Sequence, residues 1–132
     1  MTRIANFRSG LFVQDNDGLP YTLLFPLVYD SAILNRTITV PKGFNTDLAS
    51  IPRVFWITLP KSGKYDRAAV VHDFLYAHNG VTRKQADDVL KEAMEVLGVG
   101  QWTRWKIYAG VRLGGMVPWN RYRREETSEQ SV

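Results

Sequence analysis

The 132-residue chain has only two histidines, His72 and His78. Any imidazole chemistry is therefore confined to these positions. His72 stands next to Asp73 within residues 65–76, an otherwise mostly apolar segment. A neutral imidazole flanked by carboxylates can act as a general base or ligate a divalent cation. Two other segments supply carboxylates: Asp47 in residues 44–53, where Ser50 and Arg53 follow at intervals of three, and Asp87, four residues after Arg83. The candidate catalytic set is His72, Asp73, Asp47 and Asp87, supported by Ser50, Arg53, Tyr76 and Arg83. His72, Asp47 and Asp87 form the candidate metal set. One imidazole with two or three carboxylates suits Zn, Mg or Mn. Such an ion would activate water for hydrolysis, and Arg53 or Arg83 would meet an anion or transition-state charge. The same residues can also build a structural network, because buried charges are tolerated when paired and hydrogen-bonded. Residue types alone leave both readings open.

These residues need elements to position them. Residues 64–78 contain no Gly or Pro and favour helix. At about 100° per residue, Tyr65, Ala68, Ala69, His72, Leu75 and Tyr76 share a face, with Val70 and Phe74 opposite. A helix apolar nearly all round is central and buried. After the stop at Asn79-Gly80, residues 82–85 (Thr-Arg-Lys-Gln) read as a capping box. The helix that follows carries Ala86, Val89, Leu90, Ala93, Met94 and Leu97 on one face and ends at Gly98. The short link predicts an antiparallel hairpin. Asp87 falls at the edge of the apolar face, towards the first helix, and Asp88 falls on the far side, towards water. A third helix over residues 101–113 presents Trp102, Trp105, Ala109 and Leu113 along one side, which reads as a packing face. Gly114-Gly115 ends it.

Upstream, strand signals occur at residues 11–14, 21–29 and 36–40. Residues 15–18 read as a turn. Pro26 marks an edge or bulge, and residues 41–43 break the third strand. Residues 1–10 read as an irregular lead-in. Residues 44–53 read as too polar for a strand, with a helix starting at Pro52. Strands before helices predict an α+β domain over residues 1–123: a small N-terminal antiparallel sheet of about three strands, then a three-helix half with a central antiparallel helix hairpin. Residues 124–132 read as a disordered polar tail.

The composition is that of an ordinary globular domain, 45% hydrophobic and 12% aromatic. With no cysteine, disulfides, zinc–thiolate sites and thiol nucleophiles are excluded. No secretory signal or membrane span is expected. The net charge of +4 is uneven. Arg104, Lys106, Arg112, Arg121, Arg123 and Arg124 fall in an acid-free stretch, a candidate docking surface that could meet nucleic acid, a lipid headgroup or an acidic protein surface, or simply a solvated helix face. Nucleic acid is disfavoured, because the tryptophans read as helix packing rather than a stacking platform.

Three motifs in order carry a family resemblance: residues 40–53 (Val-Pro-Lys-Gly-Phe-Asn-Thr-Asp-Leu-Ala-Ser-Ile-Pro-Arg), residues 68–76 (Ala-Ala-Val-Val-His-Asp-Phe-Leu-Tyr) and residues 83–87 (Arg-Lys-Gln-Ala-Asp). Over about residues 20–115 the chain resembles a family of small phage and prophage proteins catalogued as domain of unknown function 1353. The resemblance implies a phage-encoded protein, near tail or lysis functions, without supplying a mechanism. It would work in the host cytoplasm during infection or be carried into the virion beside other phage structural proteins. The His-Asp doublet with Tyr76 is also similar to the active-site helix of secreted phospholipases A2, but their cysteines and glycine-rich calcium loop are absent. Metal-dependent phosphohydrolases with a His-Asp doublet need an earlier histidine, which this chain lacks. The expected function is a metal-assisted hydrolase, with a cell-envelope substrate by analogy only. The alternative is a non-catalytic virion, tail or assembly protein.

Overall fold

A computed structural model describes residues 4–15, 21–46, 65–78 and 80–130. Its first half is strands and its second half is helices, the α+β order expected from the sequence. Among the described residues, six short strands form two antiparallel sheets of three, where the spacing predicts one sheet. β1 (Asn6–Phe7), β4 (Leu27–Ser31) and β5 (Arg36–Val40) make one, in the order β1-β4-β5. β2 (Val13–Asp15), β3 (Tyr21–Leu23) and β6 (Asn45–Thr46) make the other, in the order β2-β3-β6.

The division follows from Pro26. The run at residues 21–29 reads as one strand but breaks at residues 24–26, so β3 and β4 enter different sheets. Proline has no N–H for a central ladder. β1 lies in the segment read as an irregular lead-in, and β6 in a stretch read as too polar for a strand. Both are two-residue edge pairings, Asn6 with Asp30 and Thr22 with Asn45, too short to leave a periodic signal. Gly43 turns the chain between β5 and β6 with a positive φ of 89°, a backbone that glycine adopts without penalty.

Among the described residues, four helices follow: α1 (Asp66–Ala77), α2 (Arg83–Val96), α3 (Gln101–Gly114) and α4 (Met116–Gln130). α1 is the central buried helix expected, with Ala68 to Asp73, Leu75 and Tyr76 all buried. α2 starts at the expected capping box. The Thr82 side chain accepts from the Gln85 amide and the Gln85 side chain accepts from the Thr82 amide, each satisfying an orphan donor. Gly98, at φ 81°, ends its last turn.

α3 is rotated relative to the expectation. Its buried residues are Ile107, Gly110 and Val111, while Trp102, Trp105 and Leu113 are exposed by 68%, 57% and 88%. The small residues face inward because Gly110 and Val111 allow close approach to the hairpin, whereas two tryptophans at that contact would force the helices apart. Nor does the chain end its helices at Gly114-Gly115. α4 restarts at Met116, with Pro118 in its first turn, where a missing N–H is harmless. Its helix continues through residues 124–130, where the composition suggests a tail without regular structure.

Candidate functional site

α1 carries Tyr76 one turn after His72, so both side chains leave the same face. α2 presents Asp87 to them from its first turn, as the helical geometry predicts. His72 Nε2 lies 2.7 Å from Asp87 Oδ1, and both side chains are fully buried. The Tyr76 hydroxyl donates to the same oxygen at 2.6 Å. Arg112, from α3, donates to Asp87 Oδ2 at 2.7 Å. Arg83 Nη1 lies 3.6 Å from that oxygen, and it donates to the Val111 and Arg112 carbonyls at the end of α3. One carboxylate thus ties three helices together. Burial pushes the Asp87 carboxyl up, but hydrogen bonds from His72, Tyr76 and Arg112 outweigh it and hold the group below its ordinary range. Burial, followed by the bond to Asp87, raises the Tyr76 hydroxyl, so it stays a neutral donor.

Asp73 serves a different set of partners. One step round α1, it accepts from the Thr46 hydroxyl at 2.8 Å through Oδ2 and from the Tyr122 hydroxyl at 3.1 Å through Oδ1. It links the central helix to β6 and to α4. Among the described residues, Asp87 and Asp73 thus meet different side chains, Asp87 those of α1 and α3 and Asp73 those of β6 and α4. Asp47, Ser50 and Arg53 lie outside the described residues. So do residues 16–18 of the turn expected at 15–18, whose first residue, Asp15, ends β2, and so does the helix expected from Pro52. Among the described residues, no group of three or more His, Asp or Glu side chains is placed to hold a metal ion. His72 Nε2 and both Asp87 oxygens have protein partners.

The fourth helix closes this region. Trp119 packs edge-on against Tyr76, with centroids 5.2 Å apart. Arg123 donates to the Tyr76 carbonyl and lies over the Trp119 ring at 4.3 Å. Gly115 touches the Tyr76 hydroxyl, where an added Cβ would collide with that hydroxyl and with the Val111 carbonyl.

The six basic residues expected on a docking surface divide. Arg112 and Arg123 turn inward to the contacts just described. Arg104 donates to the Val99 carbonyl at 2.9 Å, and Arg121 lies over the Tyr122 ring. Lys106 is exposed, with its ammonium 5.5 Å from the Trp102 ring centroid, and Arg124 is exposed. Asp88 is less exposed than expected. It accepts from Lys84 at 2.8 Å and from the Tyr108 hydroxyl of α3 at 2.7 Å. His78 lies at the end of α1 against the Phe74 ring, 4.3 Å away.

A second polar centre escapes the sequence. Glu92 of α2 accepts from the Tyr29 hydroxyl (2.7 Å), the Ser31 hydroxyl (2.9 Å) and the amides of Ala32 and Ile33 (3.1 and 2.9 Å). It clamps the turn of the β4–β5 hairpin onto the helices. Tyr29 is 63 positions away, so no local pattern could pair the two. Arg112 and Tyr122 were hidden in the same way, one within a basic stretch and one within a polar segment.

Among the described residues no helix is long and apolar enough to cross a membrane. No curated protein and no solved structure matches the chain. Residues 21–111 match the model of the family described as "Protein of unknown function (DUF1353)". That span holds the strands of the clamped hairpin, the whole His72–Asp87–Tyr76 cluster and the first eleven residues of α3, and by it the chain belongs to that family.

Proposed function

We propose that this chain is a non-catalytic assembly protein, phage- or prophage-encoded as the family resemblance implies, in which the His72–Asp87 cluster fixes the helices. The observation that carries this reading is the state of Asp87. It is fully buried, and both its oxygens accept from side chains of other helices, His72 and Tyr76 on one and Arg112 on the other. Such a carboxylate is well placed to set the geometry of three helices, and poorly placed to meet a substrate. The exposed aromatic side of α3 would then serve the contacts that an assembly protein needs. Metal analysis of the purified protein tests this, with His72→Ala and Asp87→Ala as controls. The expected result is no stoichiometric divalent metal, with loss of stability as the effect of both substitutions. One ion per chain, lost in both variants, would overturn it.

A second reading is favoured by one contact. A carboxylate 2.7 Å from an imidazole is how a general base is oriented. In a hydrolase His72 would be the base, Asp87 would orient it, and Asp73, Asp47 and the arginines would assist. A cell-envelope substrate remains an analogy. Turnover of purified cell-wall material that is lost in His72→Gln, with folding retained, would support this reading over the first.

A further inference from the structure

α3 leaves a stripe bare. Trp102, Trp105 and Leu113 are exposed on one side, with the half-buried Ala109 between them. Met116 and Val117, both exposed, extend it past Gly115. The spacing is that of a helix seam, three and four residues apart. The two indoles stack on each other, 5.9 Å between centroids and 18° between planes, so each holds the other in place. Beside them a groove of about 690 Å³ runs between α2 and α3, lined by Lys91, Glu95, Gln101, Trp102, Arg104 and Trp105. Lys91 lies over Tyr108 and Lys106 over Trp102, so ammonium groups border the aromatic surface.

We propose that this groove and stripe dock an acidic amphipathic helix of a partner protein. The inference rests on the assembly reading above and adds the chemistry of the partner. Charge selects the occupant. The groove carries Lys91 and Arg104 against one acid, Glu95, with Lys106 beside it. An isologous contact with a second copy would set these cations against themselves. An acidic helix neutralises them, while its apolar anchors at i, i+3/i+4 and i+7 cover Trp102, Trp105 and Leu113. Concavity argues against a flat lipid surface, and Glu95 argues against an anionic one. The aliphatic end of the stripe, Leu113 to Val117, offers nothing to a nucleic acid base.

The test uses the full chain and a designed amphipathic peptide of about 18 residues, five helical turns, with leucines on one face and glutamates flanking them. A second peptide replaces every glutamate with lysine. Binding is read by tryptophan fluorescence and calorimetry, and self-association by sedimentation. The acidic peptide is expected to bind roughly tenfold or more tighter than the basic one, and a W102S/W105S variant with an unchanged circular dichroism spectrum is expected to lose that binding. Equal affinity for the two peptides overturns the proposal, as does no binding by the folded wild type. Dimerisation abolished by W102S/W105S would assign the face to a second copy. Tighter capture by anionic vesicles or by single-stranded DNA would assign it to lipid or nucleic acid. Failure here leaves the metal and stability results at His72 and Asp87 unaffected, so the two readings fail separately.

Discussion

The Tyr76 hydroxyl rests against Gly115 at the junction of α3 and α4, in a space that no side chain could share. The contact lets one tyrosine donate to Asp87 while the chain passes directly over it. Gly115→Ala should destabilise the protein by about 1–3 kcal/mol through overpacking. Its φ of −74° is ordinary, so the effect would be steric and not a backbone preference. Urea unfolding of Gly115→Ala, Tyr76→Phe and the double variant measures the coupling. Wild-type stability in Gly115→Ala would refute the contact.

Asp87 should control the acid limb of stability. Its carboxyl is raised by burial but lowered overall by its three donors, so the folded protein holds this proton less tightly than the unfolded chain. Stability from this group is then fully present above the unfolded carboxylate value, about 4, and is lost as pH falls through the lower folded value. Asp87→Asn should be less stable near neutrality, and its deficit relative to wild type should shrink as pH falls below about 4. Denaturation midpoints across a pH series check this. A deficit that grows on acidification would contradict it. Asp87→Ala, which strands buried donors, should cost about 3–5 kcal/mol.

Glu92 gives a prediction for the strand half. Removing it leaves the Tyr29 and Ser31 hydroxyls and two turn amides without their acceptor. Glu92→Ala should lose at least about 2 kcal/mol, since hydrogen bonds to a charged group are the stronger kind. Hydrogen exchange should show the Ala32 and Ile33 amides losing protection before those of α1. Unchanged exchange at both would mean the clamp contributes little.

Trp102 and Trp105 point the other way. Each lies largely in solvent, so Trp102→Ala and Trp105→Ala should each change stability by no more than about 0.5 kcal/mol. A core tryptophan would cost about 3–5 kcal/mol. Thermal melts distinguish the two. A large loss would restore the packing face that the spacing suggests.

What could be read from the chain depended on range. α1 and α2 were legible because their signals are local: a capping box, a glycine stop and a face repeated every turn. Asp87 was separated from Asp88 by the same geometry, and its approach to the His72 helix followed from hairpin packing. Glu92, Arg112 and Tyr122 were not legible, because each reaches a partner 25 or more residues away. The rotation of α3 misleads for a different reason. Hydrophobicity marks a face as apolar but does not say whether it is buried within the chain or left for another molecule. β3 and β4 read as one run because apolar content continues across Pro26 although pairing does not.

The nesting of the strands also bears on the order of folding. Ser31 pairs with Arg36 across a tight turn, whereas Thr22 and Asn45 must meet across 23 residues. Zipping β4 onto β5 brings Leu27 beside Val40, so the loop left for β3 and β6 to close becomes short. The inner hairpin thus acts as a template for the outer pair, and local contacts precede distant ones. Thr46 is the last residue of that outer pair and donates to Asp73 on the central helix. Strand closure therefore delivers the sheet to α1, and a substitution that slows the hairpin turn would delay its docking on the helix.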